Sequence, residues 1–219
     1  MRVLTLDAAL ARCSAAVVAN QDTVALRQEN ASRGHAALLP VMVEAVLDEA
    51  RQRASDFDLV AVTVGPGSFT GIRAGLALAH GIGRAASVPV VGVSVGEALA
   101  DSLPYLGARE LWSVVDSRRN RIFLERGNTT IALALTDLPQ PSGRIAVAGD
   151  AAPTVAAWLA ARDVDVMLTD ARIPQARHIA VVAEHRHAGR LPPRPAQPLY
   201  VDPPEAKLPA GGLRPAPAG

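Results

Sequence analysis

The chain has 219 residues, of which 49% are hydrophobic and 20% charged, a composition that excludes a mostly disordered chain and allows one domain or two small lobes. Its 22 basic and 21 acidic residues nearly cancel, which excludes a strongly basic nucleic-acid-binding protein. The one cysteine, Cys13, excludes an intrachain disulfide and a zinc site built from several thiolates.

The first half of the chain predicts three strands followed by alternating helices and strands, which is typical of an α/β lobe. Short runs rich in Val, Leu and Ala predict the strands. Apolar residues such as Leu39, Met42 and Val46 recur with helical spacing in the first helix, which Ser32 is expected to cap. The predicted elements are strands 2–7, 14–19 and 23–28, helix 35–53, strand 58–64, helix 72–86 and strand 89–93.

The second half predicts a similar order with a weaker pattern, which suits a second lobe of the same type. The predicted elements are strands 112–116, 121–125, 131–135 and 145–148, helix 155–162, strand 164–169 and helix 175–187. The chain beyond these elements is rich in proline and has no period. We therefore expect a first lobe (1–101), a short second lobe (102–191) with its last helix packed back on the first, and a partly disordered arm (192–219).

A glycine-rich loop connects the strand 58–64 to the helix 72–86. Such a turn exposes free backbone N–H groups at the positive end of a helix and can bind an anion or the phosphates of a nucleotide. The alternative is a tight turn that needs only the conformational freedom of glycine. The residues of this loop are Gly65, Pro66, Gly67, Ser68, Phe69 and Thr70, together with Arg73 on the helix.

Small residues recur every four positions along the helix after this loop and form a bare ridge. A bare ridge allows a second helix to approach closely, and that contact can be internal, with the helix 35–53, or made by another chain. We expect both, with the two helices side by side and presenting an apolar surface to a partner. The predicted interface residues are Gly71, Ile72, Gly75, Leu76, Ala79, His80 and Gly83 on one helix and Leu39, Met42 and Val46 on the other.

The segment 64–81, VGPGSFTGIRAGLALAHG, resembles the signature of the TsaB (YeaZ) family, bacterial relatives of the TsaD family. The resemblance continues in LTLD at 4–7, SRGHA at 32–36, PVVGVS at 89–94, DSRR at 116–119 and PLYV at 198–201. It is specific in the first hundred residues and loose between about Gly127 and Arg190. It implies an α/β protein of two lobes with the actin-like, Hsp70-like and sugar-kinase (ribonuclease H-like) fold.

This resemblance implies a role in forming N6-threonylcarbamoyladenosine, the modified adenosine beside the anticodon of tRNAs that read codons beginning with A. In the family TsaD catalyses the transfer, TsaE is an ATPase, and TsaB binds TsaD and supports it without doing chemistry. The expected partners are TsaD in a heterodimer, TsaE and tRNA through the complex, and a second copy of the chain when it is alone. We expect a cytoplasmic chain without a membrane contact, because no stretch approaches about 18 uninterrupted apolar residues.

Two departures from catalytic relatives indicate a chain without catalytic residues. Those relatives carry a metal-binding His-Met-Glu-Gly-His segment, and Val95 and Leu99 stand where its histidines would be. Actin-like kinases bind phosphates with Asp-x-Gly loops, but here Asp7 is followed by Ala8 and Ala9, and Asp116 by Ser117 and Arg118, so the glycines are absent. We therefore expect no metal and no cofactor, and Asp7 is expected to be a hydrogen-bonded turn residue. A metallopeptidase and a small-molecule kinase or ATPase of the same fold are the alternatives.

Overall fold

Two five-stranded sheets form the framework of the chain, which a computed structural model describes at residues 1–31, 34–103 and 105–201. The first sheet contains β1 (Arg2–Asp7), β2 (Arg12–Ala19), β3 (Asp22–Asn30), β4 (Leu59–Gly65) and β5 (Val90–Ser94). Their order across the sheet is β3-β2-β1-β4-β5. The first three strands form an antiparallel meander, and β4 and β5 continue the sheet in parallel with β1.

The second sheet repeats this arrangement. It contains β6 (Glu110–Asp116), β7 (Ile122–Arg126), β8 (Thr129–Leu133), β9 (Ile145–Ala148) and β10 (Val166–Leu168). The order is β10-β9-β6-β7-β8, with an antiparallel meander of β6, β7 and β8 and parallel pairing of β9 and β10 beside β6. The order expected for two lobes of one type is therefore confirmed.

Helices cover both faces of the first sheet because the side chains of its central strands are apolar on both sides. The helices are α1 (His35–Ala50), α2 (Phe69–Ala86), α3 (Val95–Asp101), α4 (Ala152–Ala160) and α5 (Ala176–His187). On β1, Leu4 and Leu6 pack in the layer of α1 and α2. Val3, which points to the opposite face, packs in the layer of α5. α4 covers the second sheet, where the fully buried Trp112 is the largest core side chain.

The last helix packs back on the first lobe, as the sequence predicted. Ile179, Ala180 and Ala183 of α5 share a buried cluster with Leu59 and Ala61 of β4. α5 therefore belongs spatially to the first lobe although it falls within residues 102–191. The limits 1–101 and 102–191 otherwise stay a prediction.

The proline-rich arm begins with a segment that lies on the first lobe. The backbone N–H of Leu199 donates to the carbonyl of Val64 at 2.8 Å, at the end of β4. His80 Nε2 lies 2.7 Å from the carbonyl oxygen of Ala196. Residues 202–219 of the predicted arm lie outside the described residues.

Most predicted elements agree with the structure to within a few residues, but α3 was not predicted. Its signal is a capping box, in which Ser94 Oγ accepts from the N–H of Glu97 and Glu97 accepts from the N–H of Ser94. Gly34 takes the cap position of α1, and the predicted cap Ser32 lies outside the described residues. Across the residues that the structure describes, no helix has both the length and the apolar character needed to cross a membrane.

Candidate functional site

The glycine ridge of α2 faces the interior of the chain. A Cβ atom placed on Gly75 would lie 3.6 Å from Cγ2 of Val62 on β4 and 3.9 Å from Cδ1 of Leu39 on α1. The expectation that the ridge itself contacts a partner is therefore wrong, because the small residues let α2 approach its own sheet and α1. The predicted interface residues that are buried in this way are Gly71, Ile72, Gly75, Leu76, Ala79 and Gly83 on α2 and Leu39, Met42 and Val46 on α1.

The sides of α1 and α2 that are directed away from the sheet carry exposed small and apolar residues beside the charged Glu44, Asp48 and Arg84. Val41 is 65% exposed, and a Cβ atom added to Gly81 would meet no atom within 4 Å. His80, also predicted as an interface residue, is exposed on this helix but its ring is held by the Ala196 carbonyl. We call this surface the helix-pair face and define it by Ala37, Val41, Ala77, Leu78 and Gly81.

The glycine-rich loop packs tightly on the turn after β1. The N–H of Ser68 donates to the carbonyl of Ala9 at 2.7 Å, and a Cβ atom on Gly67 would overlap that carbonyl. Gly71 leaves room in the same way for the carbonyl of Ala8. Ser68 Oγ also accepts from the N–H of Gly71 at 3.1 Å and caps α2. Close backbone approach thus explains Gly67 and Gly71 without a ligand, and the anion site stays a prediction.

A cleft of about 850 Å³ separates this loop from the second lobe. One wall is formed by Pro66–Thr70 and by the turn at Ala9 and Leu10. The other wall carries charged residues from the ends of second-lobe strands, which are Asp116, Arg118, Arg119 and Asp150. The structure therefore brings together the glycine-rich loop and both loops that were compared with phosphate loops.

The guanidinium group of Arg73 contacts Phe69 and Tyr200 of the same chain. Its guanidinium carbon lies 3.2 Å from the centre of the Phe69 ring and 5.2 Å from that of the Tyr200 ring. The guanidinium also donates to the Tyr200 hydroxyl at 2.7 Å. Arg73 therefore fastens the arm to the start of α2, next to the cleft.

The two aspartates at the ends of β1 and β6 hold their turns by hydrogen bonds. Asp7 is fully buried, and its Oδ1 accepts from the hydroxyl of Thr63 at 2.7 Å and the N–H of Ala9 at 3.0 Å. Burial raises the pKa of the Asp7 carboxyl. Asp116 Oδ1 accepts from the N–H of Arg118 at 2.7 Å. These contacts fit the turn-residue interpretation of Asp7.

Val95 and Leu99 lie in the apolar core. They are 0% and 1% exposed and belong to the cluster that extends from the first sheet to Val115 and Ala148 of the second lobe. Within residues 1–31, 34–103 and 105–201 the structure shows no group of three or more His, Cys, Asp or Glu side chains able to hold a metal ion.

Sequence reasoning missed a buried carboxyl at the contact between the lobes. Glu125 of β7 is 4% exposed and accepts hydrogen bonds from the Ser94 hydroxyl and from the N–H of Gly96. The strand was predicted, but an acidic residue at a strand end is typical of a solvated position. The only local signal is that Glu125 lies on the same side of β7 as the apolar Phe123.

The repeated sheet order and the cleft between the two lobes define a two-lobed α/β protein. YeaZ from Pseudomonas aeruginosa has the same fold, with a TM-score of 0.71 over 91% of this chain and 99% of that chain at 24% identity. A family model described as TsaD, tRNA N6-adenosine threonylcarbamoyltransferase, matches residues 16–183.

Two relatives extend the comparison. An uncharacterized protein of Mycobacterium tuberculosis (strain H37Rv) is 34% identical over 215 residues, 94% of this chain and 93% of that protein. The tRNA threonylcarbamoyladenosine biosynthesis protein TsaB of Escherichia coli (strain K12) is 32% identical over 124 residues, 56% of this chain and 53% of that protein. The chain therefore belongs to the TsaD family, and over part of its length it is similar to a TsaB protein.

Proposed function

We propose that this chain takes part in N6-threonylcarbamoyladenosine biosynthesis as a non-catalytic partner that binds and activates a TsaD-type transferase. Similarity to the E. coli protein named tRNA threonylcarbamoyladenosine biosynthesis protein TsaB, over 56% of this chain, supports the pathway. Val95 and Leu99 support the non-catalytic role, because aliphatic side chains in an apolar core offer no metal ligand and no proton donor.

The observation that carries the partner role is the helix-pair face. It lies on two helices held rigidly by their buried sides, with Ile72 and Leu76 of α2 packed against the sheet. Its exposed residues are small or apolar, which allows close approach of a partner helix and contributes burial of apolar surface. In the absence of the transferase, the same face is expected to pair with a second copy in a symmetric dimer.

The direct test combines the chain with the transferase and tRNA from the same cell. We expect the chain alone to give no threonylcarbamoyl transfer above background, and the mixture to exceed the transferase alone. Turnover by the lone chain would contradict the non-catalytic role, and equal rates with and without the chain would contradict activation.

The helix-pair face is tested by Gly81→Arg, with Gly81→Ala as its matched control. Nothing lies within 4 Å of a Cβ atom on Gly81, so both variants should fold with an unchanged or slightly higher melting temperature. Gly81→Arg should weaken binding of the transferase at least about tenfold, since a charge buried at an apolar contact costs more than about 1.4 kcal/mol. Gly81→Ala should bind normally. Normal binding by Gly81→Arg would show that the partner docks elsewhere.

A further inference from the structure

One buried carboxyl group of the second sheet, that of Glu125, is hydrogen-bonded to the first lobe. The Ser94 hydroxyl donates to Glu125 Oε1, and the N–H of Gly96 donates to Oε2 at 3.0 Å. Ser94 ends β5 and Gly96 lies in the first turn of α3, so both donors belong to the first lobe. A Cβ atom on Gly96 would overlap the Glu125 carboxyl group. The close approach of the two lobes at this point therefore requires glycine at position 96.

The charged groups that act on Glu125 are Glu97 of α3 and Arg194 of the arm, and Arg186 of α5 contacts Glu97. Glu97 of α3 accepts from the N–H of Ser94 at 2.8 Å. Arg186 of α5 lies 2.5 Å from Oε1 of Glu97, and Arg194 of the arm lies 3.1 Å from Oε2. Burial alone would raise the pKa of Glu97, but the Ser94 N–H and the two arginines hold it below its usual range. Glu97 is therefore a fixed negative charge beside Glu125.

In these surroundings the pKa of Glu125 is shifted upward, whereas that of Glu97 is shifted downward. Burial raises the pKa of Glu125 to about 7, and the negative charge of Glu97 adds to this effect. The hydrogen bonds from Ser94 and Gly96, together with the charge of Arg194, lower the pKa but do not outweigh burial. Arg186 is engaged by Glu97 and by the carbonyls of Gly92 and Pro192.

We infer that Glu125 is a proton-dependent latch between the two lobes, which holds the second sheet against the start of α3 when it carries a proton and loosens when it is ionised. The protonated acid can donate to Ser94 Oγ and still accept from the Gly96 N–H, with no charge left in the buried contact. The ionised form keeps both donors but places an anion next to Glu97.

The direction of the pH dependence follows from proton binding. The folded chain binds this proton more tightly than the unfolded chain, so the contribution of Glu125 to stability is complete below about pH 4.5 and is lost as the pH rises through about 7. Phe123 lies two residues from Glu125 on the same strand and lines the cleft. Loosening of the latch is therefore expected to widen the cleft as the pH rises through about 7.

The first test follows the amide resonance of Gly96 from pH 5 to 9 in the purified chain. Because this N–H donates to Glu125, its chemical shift should titrate with a midpoint at about pH 7. The isosteric Glu125→Gln should abolish the titration. Glu29→Gln, which changes an exposed glutamate on β3, should leave it intact. A midpoint below pH 5.5, or a flat shift, would overturn the latch.

The second test measures the distance between the lobes with probes on Ser55→Cys and Ala161→Cys, both at exposed positions. The buried Cys13 should stay unlabelled. We expect the distance to increase from pH 6 to pH 8.5, and Glu125→Gln should keep the pH 6 distance at both values. An unchanged distance in the parent chain would reject the latch, as would an equal increase in Glu125→Gln. If Glu125→Gln fails to fold, the Gly96 titration and the distance in the parent chain decide the question.

Discussion

The two sheets share one strand order but differ in what covers them. In the first lobe, α1 with 16 residues joins β3 to β4, and α2 with 18 residues joins β4 to β5. At the corresponding places of the second lobe, the described residues 134–144 contain only the 3-10 turn Leu135–Asp137, and α4 has 9 residues. α5 follows β10 as α3 follows β5, but it packs on the first lobe.

This difference shows that the two lobes have the sheet in common and differ in their helices. The first lobe has a second helical layer and the helix-pair face. The second lobe is smaller, and its β8 is only partly buried. It contributes one wall of the cleft and the carboxyl of Glu125. We therefore expect the two lobes to answer differently to matched substitutions, although they share a core through Val115 and Ala148.

The largest effect is expected from Trp112→Ala in the second sheet. The Trp112 side chain is fully buried in the cluster under α4, and its removal should destabilise the chain by about 3–5 kcal/mol. Because the clusters of the two lobes adjoin, chemical denaturation should still show one transition at a lower midpoint. Two separate transitions, with the stability of the first lobe unchanged, would contradict the expectation that the lobes unfold together.

A smaller loss is expected from Gly75→Leu, which places a large side chain between α2, Val62 and Leu39. Overpacking of this kind costs about 1–3 kcal/mol and should lower the melting temperature of the chain. Gly81→Leu on the outer side of the same helix is the matched control. It should leave the melting temperature unchanged or slightly higher, since Leu favours a helix over Gly. Equal melting temperatures for the two variants would contradict the inward direction of the ridge.

The smallest effect is expected from Glu110→Gln at the exposed start of β6. Arg126 donates to both carboxyl oxygens of Glu110 at 2.8 and 3.2 Å, and this ion pair holds the pKa of Glu110 below its usual range. Both side chains are about two-fifths exposed, at 42% and 39%, so the loss should be about 0.5 kcal/mol or less. This loss of stability should be smaller in 1 M salt, because salt screens the ion pair. A larger loss that salt does not change would show that this ion pair is structural.

The strand order and most helices could be predicted because apolar periodicity depends on local sequence. The side of α2 on which the glycine ridge packs could not be predicted. Gly75 and Gly81 are both small residues on one helix, and a spacing of four identifies a stripe without showing which neighbour it meets. α3 was missed because its seven residues are too few for a periodic signal, although Ser94 and Glu97 carry its cap.

Only those parts of the candidate site that are formed by consecutive residues could be predicted from the sequence. The glycine-rich loop stands out in the sequence, but its contact with the Ala9 carbonyl joins residues almost sixty positions apart. Glu125 and Gly96 lie on different lobes, and no local pattern connects a strand-end glutamate with a helix-start glycine. Likewise, the bond from Leu199 to Val64 is a consequence of tertiary packing.

The outermost strand of the first sheet has a consequence for how copies of this chain can meet. β3 is nine residues long and forms an edge of the sheet. An open edge of this length can template strand pairing between molecules, which leads to aggregation. Charged residues along β3, such as Arg27 and Glu29, oppose that route, and Arg27 is also tied to Glu49 of α1 at 2.5 Å. Pairing of β3 strands between copies is therefore disfavoured. Specific assembly is expected to use side-chain surfaces on the helices.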